Sequence, residues 1–142
     1  MSFPALDELL LLTPPMLWLD EVVAHDDSSL RCRLVLRDAH PFVEDGNVEP
    51  LVCVEWMGQA AAALAALRAR EAGAVACARR VAEISEAQLP SAPFVSGQEL
   101  WIDARIEGDD VFQCSVSRAD EVVARARLRL RQHKPQSPPP TA

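Results

Sequence analysis

The sequence contains no tyrosine, and aromatic residues make up only 5% of it. A platform on which nucleic-acid bases stack needs aromatic faces, so this scarcity argues against that class of partner. An excess of positive charge is missing too. The formal net charge is −7 and the isoelectric point about 4.9, which argues against bulk attraction to nucleic acid. Paired cysteines are absent: Cys32, Cys53, Cys77 and Cys114 stand singly, with no Cys-x-x-Cys pair and no histidine at ligand spacing. That pattern fits reduced, mostly buried thiols in a cytoplasm, not a disulfide framework or a metal site. The N-terminal stretch lacks a basic start, and Asp7 and Glu8 interrupt its apolar run, so it does not read as a signal peptide. Residues 51–67 are the nearest approach to a membrane span. They carry Glu55 and Gln59 and are rich in alanine, which fits a buried helix and no membrane partner.

What remains is the profile of one ordinary globular domain. The chain has 142 residues, 49% hydrophobic and 25% charged, enough to bury a core without disulfides or a structural metal. Residues 3–12 read as a short helix ended by Pro14 and Pro15, which cannot continue it. Residues 16–25 read as a first strand, and the Asp26-Asp27-Ser28-Ser29 cluster as a turn. Residues 30–37 alternate, with Leu30, Cys32, Leu34 and Leu36 on one face, the mark of a half-buried strand. Residues 38–49 form a loop. Residues 50–72 form a helix, with Pro50 in the favourable first position, a run of alanines from 60 to 63, and Gly73 as its stop. Strands follow at about 75–89, 98–107 and 111–117, and clearly at 122–131. Residues 1–131 make the domain; the proline-rich 132–142 make a disordered tail. The sum is an α+β fold, an antiparallel sheet of five to six strands wrapped around one long central helix.

The stretch Val52-Cys53-Val54-Glu55-Trp56-Met57-Gly58-Gln59-Ala60-Ala61 resembles the central-helix motif of the FabZ/FabA-type 3-hydroxyacyl-carrier-protein dehydratases, apolar–apolar–Glu-x-Met-Ala-Gln-Ala, with Gly58 where alanine is usual. The segments from Leu12 to Asp20 and from Pro93 to Leu100 resemble two further motifs of that family, in the right order. The loop His40-Pro41-Phe42-Val43-Glu44-Asp45-Gly46 resembles more closely that of the ApeP/ApeI-type dehydratases of aryl polyene and xanthomonadin-like pathways. The resemblance implies a hotdog fold. It implies a dehydratase acting on a 3-hydroxyacyl thioester carried on the phosphopantetheine of an acyl carrier protein, with no cofactor and no metal. It also implies dimers, homo- or heteromeric, with active sites at the subunit interface.

Such a dehydration needs a base near Cα, an acid near the Cβ hydroxyl, and donors for the thioester oxygen. The resemblance assigns these to a loop histidine, a helix carboxylic acid, and backbone N–H groups at the helix start. Here they correspond to His40, Glu55, and the amides around Leu51 and Val52. A carboxyl in a nearly all-apolar helix keeps its proton near neutral pH. Gln59, one turn on, is placed to orient Glu55 or contact substrate. The loop position comparable to the catalytic histidine is His40 or, if the histidine is lost, the neighbourhood of Asn47. The residues alone also allow plainer readings: Glu55 and Gln59 as a solvated stripe, His40 as a turn residue. Trp56, beside Glu55, is bulky enough to narrow an acyl tunnel. The arginines at 125, 127, 129 and 131 offer a dock for an acidic carrier protein, as do Arg79 and Arg80. Otherwise the row is a solvated sheet face with cross-strand partners such as Asp103. Two other functions stay open: a hotdog thioesterase, with water as nucleophile, and a non-catalytic partner of a catalytic hotdog subunit.

Overall fold

The computed structural model describes residues 3–75 and 77–132. Strands β1 (Glu21–His25), β2 (Ser29–Val35), β4 (Arg79–Gln88), β6 (Glu99–Gly108), β7 (Val111–Arg118) and β8 (Glu121–Gln132) form one antiparallel sheet. Its spatial order is β1-β2-β6-β7-β8-β4. The two-residue strands β3 (Asn47–Val48) and β5 (Phe94–Val95) pair separately. Two helices complete the fold, α1 (Leu6–Leu10) and α2 (Cys53–Glu71), the latter entered through a 3₁₀ turn at Pro50–Val52. This is the helix-in-a-sheet layout that the resemblance implies.

Alternation along the strands builds the inner wall. Leu30, Cys32 and Leu34 of β2 are buried, as are Ala124, Ala126, Leu128 and Leu130 of β8. Side chains of successive strand residues point to opposite faces, so each strand contributes one apolar row. These rows share a core with Trp56, Met57, Ala60, Ala61, Ala63 and Leu64 of α2. The alanines let the helix lie close to the sheet, while each fully buried leucine stabilises the core by about 1.5–3 kcal/mol. The helix is long and apolar enough to cross a membrane by length and composition, but most of that stretch is buried inside this fold. Its end closes as a Schellman motif. Gly73 sits at φ +78°, its N–H bonds Arg70 O at 3.0 Å, and the Ala74 N–H bonds Ala69 O at 2.8 Å.

Several boundaries differ from the sequence expectation. The first helix covers Leu6–Leu10 and not 3–12, because Leu11 turns into the left-handed region at φ 56°. The first strand starts at Glu21 and not at residue 16. The Met16 carbonyl accepts from Gln59 Nε2 and the Trp18 N–H donates to Gln59 Oε1, and among the described residues no sheet neighbour holds them. The 38–49 loop contains β3, and Gln132, expected to begin the tail, is the last residue of β8. The rest of the expected tail, residues 133–142 with His133, lies outside the described residues.

The arginine row is a solvated sheet face. Arg127 Nε meets Glu107 at 2.8 Å and Arg129 Nε meets Glu83 at 3.2 Å. Asp103 pairs with Arg31 of β2 at 3.8 Å and has no ion pair with that row.

Candidate active site

The two residues expected to share the chemistry line different clefts. His40 lines one of about 610 Å³ with Pro14, Leu17, Trp18, Asp20 and Arg37. Glu55 lines a groove of about 330 Å³ with Leu12, Gly58, Gln59, Ala62, Arg79 and Val81. A wider depression of about 630 Å³, among Arg31, Asp103, Arg105 and Arg125, contains neither. Its size reflects a shallow, polar sheet surface, and the two residue-bearing clefts are the chemically informative ones.

Glu55 sits on the first turn of α2 and is exposed. The burial expected of it is absent in the single chain, because its side of the helix opens onto the groove beside the start of β4. Gln59, by contrast, is 4% exposed. Its Oε1 accepts the Trp18 N–H at 3.0 Å, and its Nε2 donates to Met16 O at 2.8 Å and to Glu55 Oε1 at 3.2 Å. Both donors of the amide are thus committed inside the chain. The spacing that placed Gln59 beside Glu55 is confirmed, but Gln59 holds the carboxylate and has no N–H left for substrate.

Trp56 does not narrow this groove. It is fully buried away from the groove lining, against Trp18 at 5.6 Å and Phe94 at 4.9 Å between ring centroids. Gly58 lets β4 approach α2 instead: a Cβ at that position would meet Val81 Cγ2 at 2.7 Å.

At the helix start, the Val52 N–H bonds Glu49 O at 3.1 Å and is not free for a thioester oxygen. Leu51 is 68% exposed, a large apolar side chain standing in solvent. Asn47 is exposed and lines neither cleft. It exchanges backbone bonds of 2.9 Å with Glu44, which tie it to a tight turn.

His40 is half-buried and stacked on Trp18, centroids 4.7 Å apart and planes 18° from parallel. Its Nδ1 accepts the Arg37 backbone N–H at 3.0 Å, and the His40 backbone N–H donates to Arg37 O at 3.0 Å. Partial burial, then the Arg37 charge, hold its pKa below the usual histidine value, with Asp20 opposing. A neutral ring that accepts at Nδ1 carries its proton on Nε2. In that state the Nδ1 lone pair is engaged by the Arg37 N–H and Nε2 carries the proton.

Sequence reading missed Trp18 and Asp20 as parts of this region. Asp20 accepts the Val35 N–H at 2.7 Å and pairs with Arg37 at 2.8 Å, fixing the start of the His40 loop. Their position in the apolar opening segment was the available signal. Cys32, Cys53 and Cys114 are buried free thiols pushed up to about 12 by burial, which leaves them protonated and unfit as nucleophiles at neutral pH.

A long helix wrapped by a six-stranded antiparallel sheet, with a glutamate on its first turn, defines a hotdog-fold protein. The chain matches the ApeP-like family model, ApeP dehydratase, over residues 4–138, and it belongs to that family. Solved structures agree on the fold. The dehydratase heterocomplex ApeI:P from Xenorhabdus doucetiae matches at 20% identity, with 94% of this chain and 93% of that chain covered and a TM-score of 0.85. A homologue of HP0420 from Helicobacter felis matches at 16% identity, 96% of both chains and a TM-score of 0.65. Zebra fish thioesterase superfamily member 2 matches at 11% identity, 79% of both chains and a TM-score of 0.57. No protein of curated function matches the chain.

Proposed function

We propose that this chain is a subunit of a dimeric dehydratase that converts a 3-hydroxyacyl thioester, carried on the phosphopantetheine of an acyl carrier protein, to the trans-2-enoyl thioester. The observation that carries this reading is the Gln59–Glu55 contact, which holds the one carboxyl of a groove lined also by Leu10, Leu12, Ala62, Val81 and the arginines at 79 and 80. In the reaction a base takes a proton from Cα, the Cα–Cβ double bond forms, and the C–O bond at Cβ breaks. Glu55 delivers the proton with which the hydroxyl leaves as water.

The base comes from a second hotdog subunit. Besides Glu55, the groove is lined by Leu10, Leu12, Gly58, Gln59, Ala62, Ala78, Arg79, Arg80 and Val81, with no histidine and no second carboxylate among them. The groove adjoins β4, an edge strand whose outer side has no partner among the described residues. A subunit extending the sheet there would cover the groove and exclude water from it. The heteromeric make-up of the Xenorhabdus dehydratase supports a two-subunit arrangement for this chain as well.

Mass spectrometry of carrier-bound 3-hydroxyacyl chains tests the reading, with the protein alone and mixed with a second hotdog dehydratase subunit. Loss of one water is the expected result. Release of free acid would make the protein a thioesterase, and unchanged substrate in both mixtures would overturn the dehydratase assignment.

A further inference from the structure

Three contacts run in series from the surface loop to Glu55. The His40 ring stacks on the Trp18 indole at 4.7 Å. The Trp18 N–H bonds Gln59 Oε1 at 3.0 Å. The Gln59 amide bonds Glu55 Oε1 at 3.2 Å. Trp18 is only 3% exposed, and its indole is bounded by His40 and by the fully buried Trp56.

We infer that His40 and Trp18 are positioning residues for Glu55: the His40 ring wedges Trp18 against Trp56, and the seated Trp18 backbone fixes the Gln59 amide that aims the carboxyl. The inference rests on the proposed role of Glu55 in proton transfer. It assigns His40 a part other than the base, in keeping with the bond that Nδ1 accepts from Arg37.

The backbone at residues 16–18 has no strand partner to hold it. Turn bonds from the Met16 and Leu17 N–H groups to Thr13 O, and the Asp20 N–H to Arg33 O, hold it on either side, and the Trp18 packing and the two Gln59 bonds seat it against α2. A flat ring at position 40 supplies the packing whether or not it can carry a proton. The ring's second contact, from Arg37 N–H to Nδ1, fixes its orientation in the plane of the stack.

The substitutions His40→Phe and His40→Ala separate a wedge from a base. In the assembled dehydratase, His40→Phe keeps the stack and lowers kcat less than about tenfold, whereas a proton-transfer residue lost at the same site costs about 10²–10⁴-fold. His40→Ala lowers kcat more than His40→Phe with KM little changed. Trp18→Phe restores most of what Trp18→Ala loses. Exchange of the Gln59 side-chain amide with water, followed by NMR on folded protein, reads the wedge without any turnover. Slow exchange in wild type and His40→Phe, with faster exchange in His40→Ala and Trp18→Ala, is the expected pattern. Equal kcat losses of about 10²-fold or more in Phe and Ala at position 40 would overturn the inference, as would Gln59 exchange unchanged by His40→Ala. If wild type dehydrates no 3-hydroxyacyl thioester, the proposed function fails, while the amide exchange still decides whether the wedge exists.

Discussion

The Gln59 side chain holds Glu55 at 3.2 Å while its other two bonds, to Met16 O and from the Trp18 N–H, anchor a segment more than 40 residues earlier in the chain. One buried amide therefore fixes the entry to the first strand and the direction of the exposed carboxylate.

Replacing Gln59 by Leu leaves the Trp18 N–H and the Met16 carbonyl without partners. A buried polar group left unpaired costs about 1–3 kcal/mol. Thermal unfolding of Gln59→Leu should show a loss of at least that size, and the dehydration rate should fall with it. Unchanged stability would mean that the turn bonds to Thr13 O and the packing hold the segment without Gln59.

Gly58→Ala sets two effects against each other. Alanine favours the helix by about 1 kcal/mol over glycine, but its Cβ would meet Val81 Cγ2 at 2.7 Å. Overpacking of this kind costs about 1–3 kcal/mol, so the single change is destabilising. Pairing it with Val81→Ala relieves the clash, and a double-mutant cycle should show a favourable coupling between the two sites. Additive losses would place the cost elsewhere.

The folded state holds the His40 pKa below its unfolded value near 6.5, through burial first and the Arg37 charge second, with Asp20 acting in the opposite direction. Below the unfolded pKa the unfolded chain binds the proton more readily, so stability falls as the pH drops from about 6.5 toward the folded value. Glu107 works in a different window. The hydrogen bond from Arg127 holds its carboxyl below the usual value, so its contribution is present above the unfolded pKa of 4.5 and is lost as the pH falls below it. Denaturant unfolding from pH 7 to pH 5 should show a falling stability that His40→Phe flattens. An identical slope in the variant would remove His40 from the account.

Cys77 is the one partly exposed thiol among the described residues, and the other three are buried. An aromatic disulfide reagent should titrate one thiol in native protein at neutral pH and four after unfolding. Rapid reaction of two or more in the native state would show that α2 or the sheet opens locally.

Much of this fold was legible in the chain. The alternation at Leu30, Cys32 and Leu34 and the stop at Gly73 depend on local periodicity and on one glycine's positive φ. The Glu55–Gln59 contact followed from i, i+4 geometry on a helix. The front of the first strand was not legible, because the apolar run at residues 16–19 looks like a strand until its hydrogen-bond partner, a side chain on a distant helix, is known. The exposure of Glu55 was hidden for a related reason. A helix apolar on nearly all sides does not announce which side its own sheet covers. The state of His40 depended on one backbone N–H, from Arg37, that no spacing rule singles out.

The central claim is that Glu55 carries the proton in dehydration, and the Glu55→Gln variant tests it most directly. Glutamine keeps the shape and a hydrogen bond to Gln59 but has no proton to give, so the dehydration rate of the assembled protein should fall by about 10²–10⁴-fold while the fold and thermal midpoint stay close to wild type. A variant that still strips water from the 3-hydroxyacyl thioester at the wild-type rate would contradict the account.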